Sequence, residues 1–163
     1  MSSLKQAGIV VGLTMVLCGV AYPLALTVAG QALFPNQAEG SLIERDGERI
    51  GSKWIAQPFA SDGYFHGRPT AVDQLTGQSG GDNMAESNPD RPKHDPELPG
   101  AIETSGSGLD PHISMEHAMS QVERISDARS VAADDIEKVI RETADGEPYV
   151  NVLMMNLALD ELN

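Results

Sequence analysis

The chain has 163 residues, 21% of them charged, with a formal net charge of −13 and a single cysteine. This acidity excludes nucleic acid as a partner, because phosphate binding needs a basic surface. Cys18 stands alone, which excludes a small module stapled by internal disulfides.

The first element is residues 7–34, from Ala7 to Phe34, without one charge. About 20 apolar residues suffice for a helix to cross a hydrocarbon core of ~30 Å. Twelve large apolar residues in the run, at roughly −0.3 to −0.6 kcal/mol each, favour insertion by about −4 to −7 kcal/mol. A cleaved signal peptide has an apolar region of only about 7–15 residues after a basic start. Here the start holds only Lys5, Thr27-Val28-Ala29 is a poor cleavage site, and Leu17 before Cys18 is not the small residue that precedes a lipidated cysteine. A retained transmembrane helix is expected. Lys5 weakly favours a cytoplasmic amino terminus and an extracytoplasmic main domain, although long domains translocate largely regardless of charge. The localisation that follows is a cell membrane, spanned once.

The span has a small-residue face. Gly8, Gly12 and Gly19 fall within about 40° of one another at 100° per residue, and Gly30 joins them if the helix is straight. Small residues let helix backbones approach closely in lipid. Pro23 removes a backbone donor and is expected to kink the span near its middle. Grooves and a kink suit a subunit helix packed on partner helices. The alternative is the ordinary abundance of Gly and Ala in membrane spans.

Residues 39–163 are long enough for one small soluble domain. All 24 acidic residues lie at or beyond Glu39. An excess of this kind keeps a protein soluble by self-repulsion, as in halophiles; the alternative is a field that gathers cations.

Asp46-Gly47 between Ser41–Arg45 and Glu48–Ile50 is a two-residue hairpin signal. Trp54 and Ile55 are expected to carry the second strand onward into a core. Residues 57–70 are aromatic and turn-rich, and residues 77–111 read as a long irregular stretch. Met115, Ala118, Met119, Val122 and Ile125 have helical spacing, with Ser114 as N-cap. A second helix carries Ile136, Val139 and Ile140, with a Glu137–Arg141 pair, and breaks at Asp145-Gly146-Glu147-Pro148. Tyr149–Leu153 reads as a strand and Met155–Leu162 as a short apolar helix. The fold class is α+β, one amino-terminal transmembrane helix followed by a single small acidic domain.

Candidate chemistry is sparse. His66 and Arg68 could be an acid and an anion clamp, or could tie their own loop to backbone carbonyls; the second fits better. Asp110-Pro111-His112 could be a charge-relay pair, but Asp-Pro before a helix is more simply a turn. Ser105-Gly106-Ser107-Gly108 lacks the spacing of a nucleophile elbow, and there is no Walker A pattern. His66, His94, His112 and His117 are scattered, so no metal site and no catalytic residue is expected. Ser79-Gly80-Gly81-Asp82-Asn83 could hold an anion through backbone amides, opposed by the carboxylates around it.

Several segments together resemble a known family, the C subunit of the Kdp-type potassium-transporting ATPase. They are Tyr22-Pro23, Gly40-Ser41-Leu42-Ile43, Gln57-Pro58-Phe59, Gly63-Tyr64-Phe65-His66-Gly67-Arg68-Pro69-Thr70-Ala71, and Ser79-Gly80-Gly81-Asp82-Asn83 with Ser87-Asn88-Pro89. The resemblance continues through Thr104-Ser105-Gly106-Ser107-Gly108-Leu109-Asp110-Pro111-His112-Ile113-Ser114. After Ala118, Gln121-Val122, Arg124 and Ala128-Arg129 it closes on Val150-Asn151-Val152-Leu153 and Asn156-Leu157-Ala158-Leu159-Asp160. It is colinear from end to end. The family usually has a longer insert where only Asp90 to Glu103 stands here. Asp82 replaces a more usual Ser, and Trp54 a more usual aliphatic residue.

The resemblance implies a non-catalytic accessory subunit of an ATP-driven potassium uptake complex. Its implied partners are a channel-like potassium-translocating subunit and a P-type ATPase subunit. The complex handles ATP and potassium, and this chain binds no cofactor tightly. The resemblance also implies a catalytic chaperone that raises the ATP affinity of the ATPase subunit, which sits uneasily with an acidic domain outside the membrane. Two other classes stand beside it, both acting alone: a membrane-anchored hydrolase using His66 or His112, and a membrane-anchored cation-binding module.

Overall fold

The uncharged run folds as one exposed helix, Ser3–Leu33, apolar and long enough to cross a membrane. The computed structural model describes residues 3–85, 87–91, 96–98 and 101–162. The helix has two α-helical halves, α1 (Ser3–Val16) and α2 (Tyr22–Leu33), joined by a π turn over Leu17–Ala21. The reason is Pro23. It offers no N–H to the turn before it, and the chain answers with a wider turn in which Tyr22 N–H donates to the Leu17 carbonyl. The Thr27 hydroxyl donates to the Pro23 carbonyl at 2.9 Å. The π turn ends any straight register, and Gly30 does not continue an open glycine face. A Cβ on Gly30 would lie 3.8 Å from Ala38 Cβ. That contact comes from α3 (Pro35–Ala38), which starts after Phe34 leaves helical geometry before a proline.

Asp46 and Gly47 both take positive φ, 54° and 82°, the geometry of a tight hairpin turn between β1 (Leu42–Arg45) and β2 (Glu48–Ser52). The register slips between Ile43 and Glu44, a bulge that twists the ribbon. β2 stops at Ser52. Trp54 and Ile55 do not enter the core; both are exposed, Trp54 at 57%. The indole N–H donates to Ser41 Oγ at 3.1 Å, which holds the ring at the surface.

One described 3₁₀ turn, Gln74–Thr76, interrupts the irregular stretch. The expected helix from Met115 divides in two, α4 (Met115–Met119) and α5 (Val122–Arg129). Ser114 caps α4 by accepting from His117 N–H at 3.1 Å. The break falls at Ser120 and Gln121, whose side chains turn to other partners. α6 (Ala133–Ala144) buries Ile136, Val139, Ile140 and Ala144, carries the Arg141–Glu137 pair at 2.7 Å, and ends on Asp145 and Gly146 at positive φ. The second sheet joins β3 (His112–Ser114), which local pattern did not reveal, to β4 (Tyr149–Asn151), antiparallel with Ile113 opposite Val150. The expected strand to Leu153 is cut short. Asn151 accepts from Met154 N–H and opens α7 (Val152–Asp160) three residues earlier than the apolar pattern suggested. The core lies between β3–β4 and helices α4 to α7, with Phe65 from the aromatic loop fully buried in it.

Candidate functional site

The loop Gly63–Pro69 enters the helical core without forming a strand, so its backbone needs partners. Two buried carboxamides supply them. Asn156 Oδ1 accepts from Phe65 N–H at 2.7 Å while its Nδ2 donates to the Phe65 carbonyl at 3.0 Å. Gln121 Oε1 accepts from His66 N–H at 2.8 Å, and its Nε2 donates to the His66 carbonyl at 3.1 Å. Each side chain acts as a one-residue strand. The two therefore fix successive peptides and leave Phe65 no freedom to withdraw.

Two arginines close the outside of the same loop. Arg124 donates to the carbonyls of Asp62 and Tyr64 and to Gln121 Oε1. Burial is the main cause that lowers its pKa, against the nearby Asp62 carboxylate. Arg129 donates to the carbonyls of Gly63 and Leu159 and to Asp160 at 2.8 Å, with its guanidinium 4.5 Å from the centre of the Tyr64 ring. Tyr64 O–H donates to the same Asp160 carboxylate at 3.0 Å, and Arg45 reaches its other oxygen at 3.6 Å. The hairpin that follows the long helix is thus tied to the last helix of the domain.

The remaining motif loops meet on Gly108. It has φ +70°, and a Cβ there would come 2.8 Å from the Gly80 carbonyl oxygen and closer still to Val72. Only glycine fits. Thr70 and Gln74 side chains donate to the Gly108 carbonyl at 3.1 and 3.0 Å. Gly80 N–H donates to the Ser107 carbonyl, and a Cβ on Gly81 would press on Gly106 O at 3.0 Å. Ser105 N–H donates to the Pro69 carbonyl, and Ala56 N–H to that of Leu109. Asn83, at φ +53°, bonds back to Gly81 O, and Ser79 stays exposed. Beside it, the Met84 N–H donated to Asp82 holds that carboxyl below its usual pKa. Tyr64, Phe65, His66, Arg68 and Pro69 are therefore brought together with Ser107, Gly108, Leu109 and Asp110. Gly67 sits among them with open space where a Cβ would be. Gly8, Gly12, Gly19 and Pro23 lie apart on the long helix, and the three glycines likewise have open space beside them.

The candidate reactive side chains are bonded within these loops. His66 Nε2 bonds the Ser61 carbonyl of its own loop at 3.0 Å. Arg68 bridges Asp110 at 3.2 Å and the carbonyls of Glu103 and Thr104. His112 Nδ1 lies 3.3 Å from Asp110, a carboxylate already held by Arg68. Ser105 and Ser107 accept backbone N–H groups within their own turn, from Asp110 and Leu109. Among the described residues no group of three His, Cys, Asp or Glu could hold a metal ion; His94 lies outside them. His117 is partly buried, and that burial is the main cause that lowers its pKa. Arg68 and His66 act in the same direction, and Glu103 opposes them. The side chains that build the site but carry no reactive signature (Asn156, Gln121, Arg129, Asp160) are missing from a sequence-based list of candidates. An amide within the apolar run Met155–Leu162 is the one local signal that could have marked Asn156.

The family model for the c chain of the potassium-transporting ATPase, KdpC, matches residues 4–97 and 90–161. The chain belongs to this family. It is 40% identical to the potassium-transporting ATPase KdpC subunit 2 of Staphylococcus aureus strain Mu50, over 97% of each chain. It is 40% identical to the KdpC subunit of Staphylococcus haemolyticus, again over 97% of each. With KdpC subunit 2 of a Nostoc species the identity is 44%, over 86% of this chain and 84% of the other. The first alignment runs over 181 positions, more than the 163 residues here. The two family matches meet at residues 90–97, within the segment where the sequence places the shortening.

Proposed function

We propose that this chain is a single-span accessory subunit of a potassium-transporting ATPase complex, acting by assembly and stabilisation rather than by chemistry of its own. The observation that carries the reading is the family match along nearly the whole chain, joined to a site whose buried amides and arginines hold loops. The span supplies contact with membrane-embedded partners, a channel-like potassium-translocating subunit and a P-type ATPase subunit. Gly8 and Gly12 in α1, with Gly19 in the π turn, leave room for another helix to approach. The clasped domain then stands as a rigid body at the membrane surface. We place it on the extracytoplasmic side, with Lys5 inside. From there any rise in ATP affinity of the ATPase subunit has to pass through the partner's conformation, because ATP itself is across the membrane.

Co-purification tests this directly. Replacing Gly8, Gly12 and Gly19 together by Leu is expected to release the chain from the solubilised complex while leaving it in the membrane. Stoichiometric recovery of the triple variant with both partners would contradict packing through this face.

A further inference from the structure

We propose that Trp54, with Lys53 beside it, is a membrane-interface anchor whose ring lies in the lipid headgroup layer next to the exit of the span. The inference rests on the span being in the bilayer. A helix of 31 residues is about 46 Å long at 1.5 Å per residue. The hydrocarbon core takes about 30 Å of that and each headgroup layer about 5–8 Å. With Lys5 at one surface, about 20 residues from Gly8 carry the helix through hydrocarbon, and the turn containing Gly30 emerges into the opposite headgroup layer.

The chain then doubles back. Ala38 of α3 packs at the level of Gly30, so the start of the domain returns to the headgroup layer. Short bonds bring Trp54 to the same level. Ser41 N–H donates to the Asn36 carbonyl at 2.7 Å, Lys53 N–H to the Ser41 carbonyl at 3.0 Å, and the indole N–H to Ser41 Oγ at 3.1 Å. The ring borders a shallow depression of about 340 Å³ shared with Asn36, Gln37, Leu42 and Met154. Its neighbours are the His112 ring at 6.0 Å and Lys53 Nζ at 5.3 Å.

An exposed indole in water is ordinary; an exposed indole at this depth is not. Tryptophan concentrates at membrane interfaces because its ring prefers the apolar side and its N–H the wet side. Here the N–H is satisfied within the protein, so moving the ring into a less polar layer strands no donor. Lys53 can extend its stem along the ring and place its ammonium among phosphates.

Trp54 is the only tryptophan of the chain, so its fluorescence reports this site alone. The full chain is placed in phosphatidylcholine vesicles, and flotation reports the span separately. The expected result is emission shifted to shorter wavelength than in free indole. Lipids brominated near the glycerol end of the acyl chain should quench it more than lipids brominated near the terminal methyl, with iodide quenching reduced. A floating chain quenched by iodide and not by lipid overturns the anchor alone. So does a floating chain insensitive to both, which would put the ring against protein, a second copy or a partner. A chain that does not float overturns the span and the anchor together.

Discussion

Asn156 shows how one polar side chain in an apolar helix sets the position of a whole loop. It is 2% exposed and holds both backbone groups of Phe65. Replacement by Leu keeps the branching but adds volume to a packed site and strands a buried donor and acceptor, each costing about 1–3 kcal/mol. Asn156→Leu is expected to destabilise the solubilised chain by about 2–5 kcal/mol, read as a fall in its thermal midpoint; an unchanged midpoint would mean that the pair contributes nothing. His117 sets a pH dependence. Its folded pKa is lowered from 6.5, so below that pH the unfolded chain binds the proton that the folded chain resists. Stability from this group is present above about pH 6.5 and is lost as pH falls toward the folded value. His117→Gln should flatten the loss of thermal stability between neutral and mildly acidic pH. His117 does not announce itself locally, and Asn156 does so only as an amide within an apolar run. A buried amide or imidazole gains its meaning from a backbone segment distant in sequence.

Elements governed by local chemistry were legible, and those governed by distant pairing were not. Asp46-Gly47 dictates its turn whatever surrounds it, and the 3.6-residue pattern of α6 follows from Ile136, Val139 and Ile140. Ser114 at the head of α4 is a local cap, as its place before the helical pattern predicts. β3 is three residues long and exists because β4 lies beside it, far along the chain. Nothing in His112–Ser114 alone favours a strand. Trp54 is expected to carry β2 onward into the core, yet its indole is held at the surface by Ser41 and its backbone N–H by Ser52. The break between α4 and α5 follows from Gln121, whose carboxamide is committed to the His66 peptide. Pro23 was expected to disturb the span; the form of the disturbance, a π turn, depends on how the freed carbonyls find new donors. For the site, the loops that come together are visible as motifs, and Gln121, Arg129, Asn156 and Asp160 stand in the segments that carry the family resemblance; what local pattern does not give is which backbone groups they hold.

At the scale of the molecule, an apolar helix leads into a domain whose loops are held at many points and whose first hairpin is tied to its last helix through Arg45 and Asp160. The domain's side of the membrane decides which ligands it can meet. A cysteine at the exposed Ser61, in a Cys18→Ala background, should react in intact cells with an impermeant thiol reagent. Reaction only after lysis would put the domain inside and bring ATP within its reach. If this chain is a working subunit of the potassium-transporting ATPase, potassium-stimulated ATP hydrolysis by the solubilised complex depends on it. Without this chain the stimulated activity is expected to be lost and to return when the wild-type chain is co-expressed; full stimulation in its absence would contradict the account.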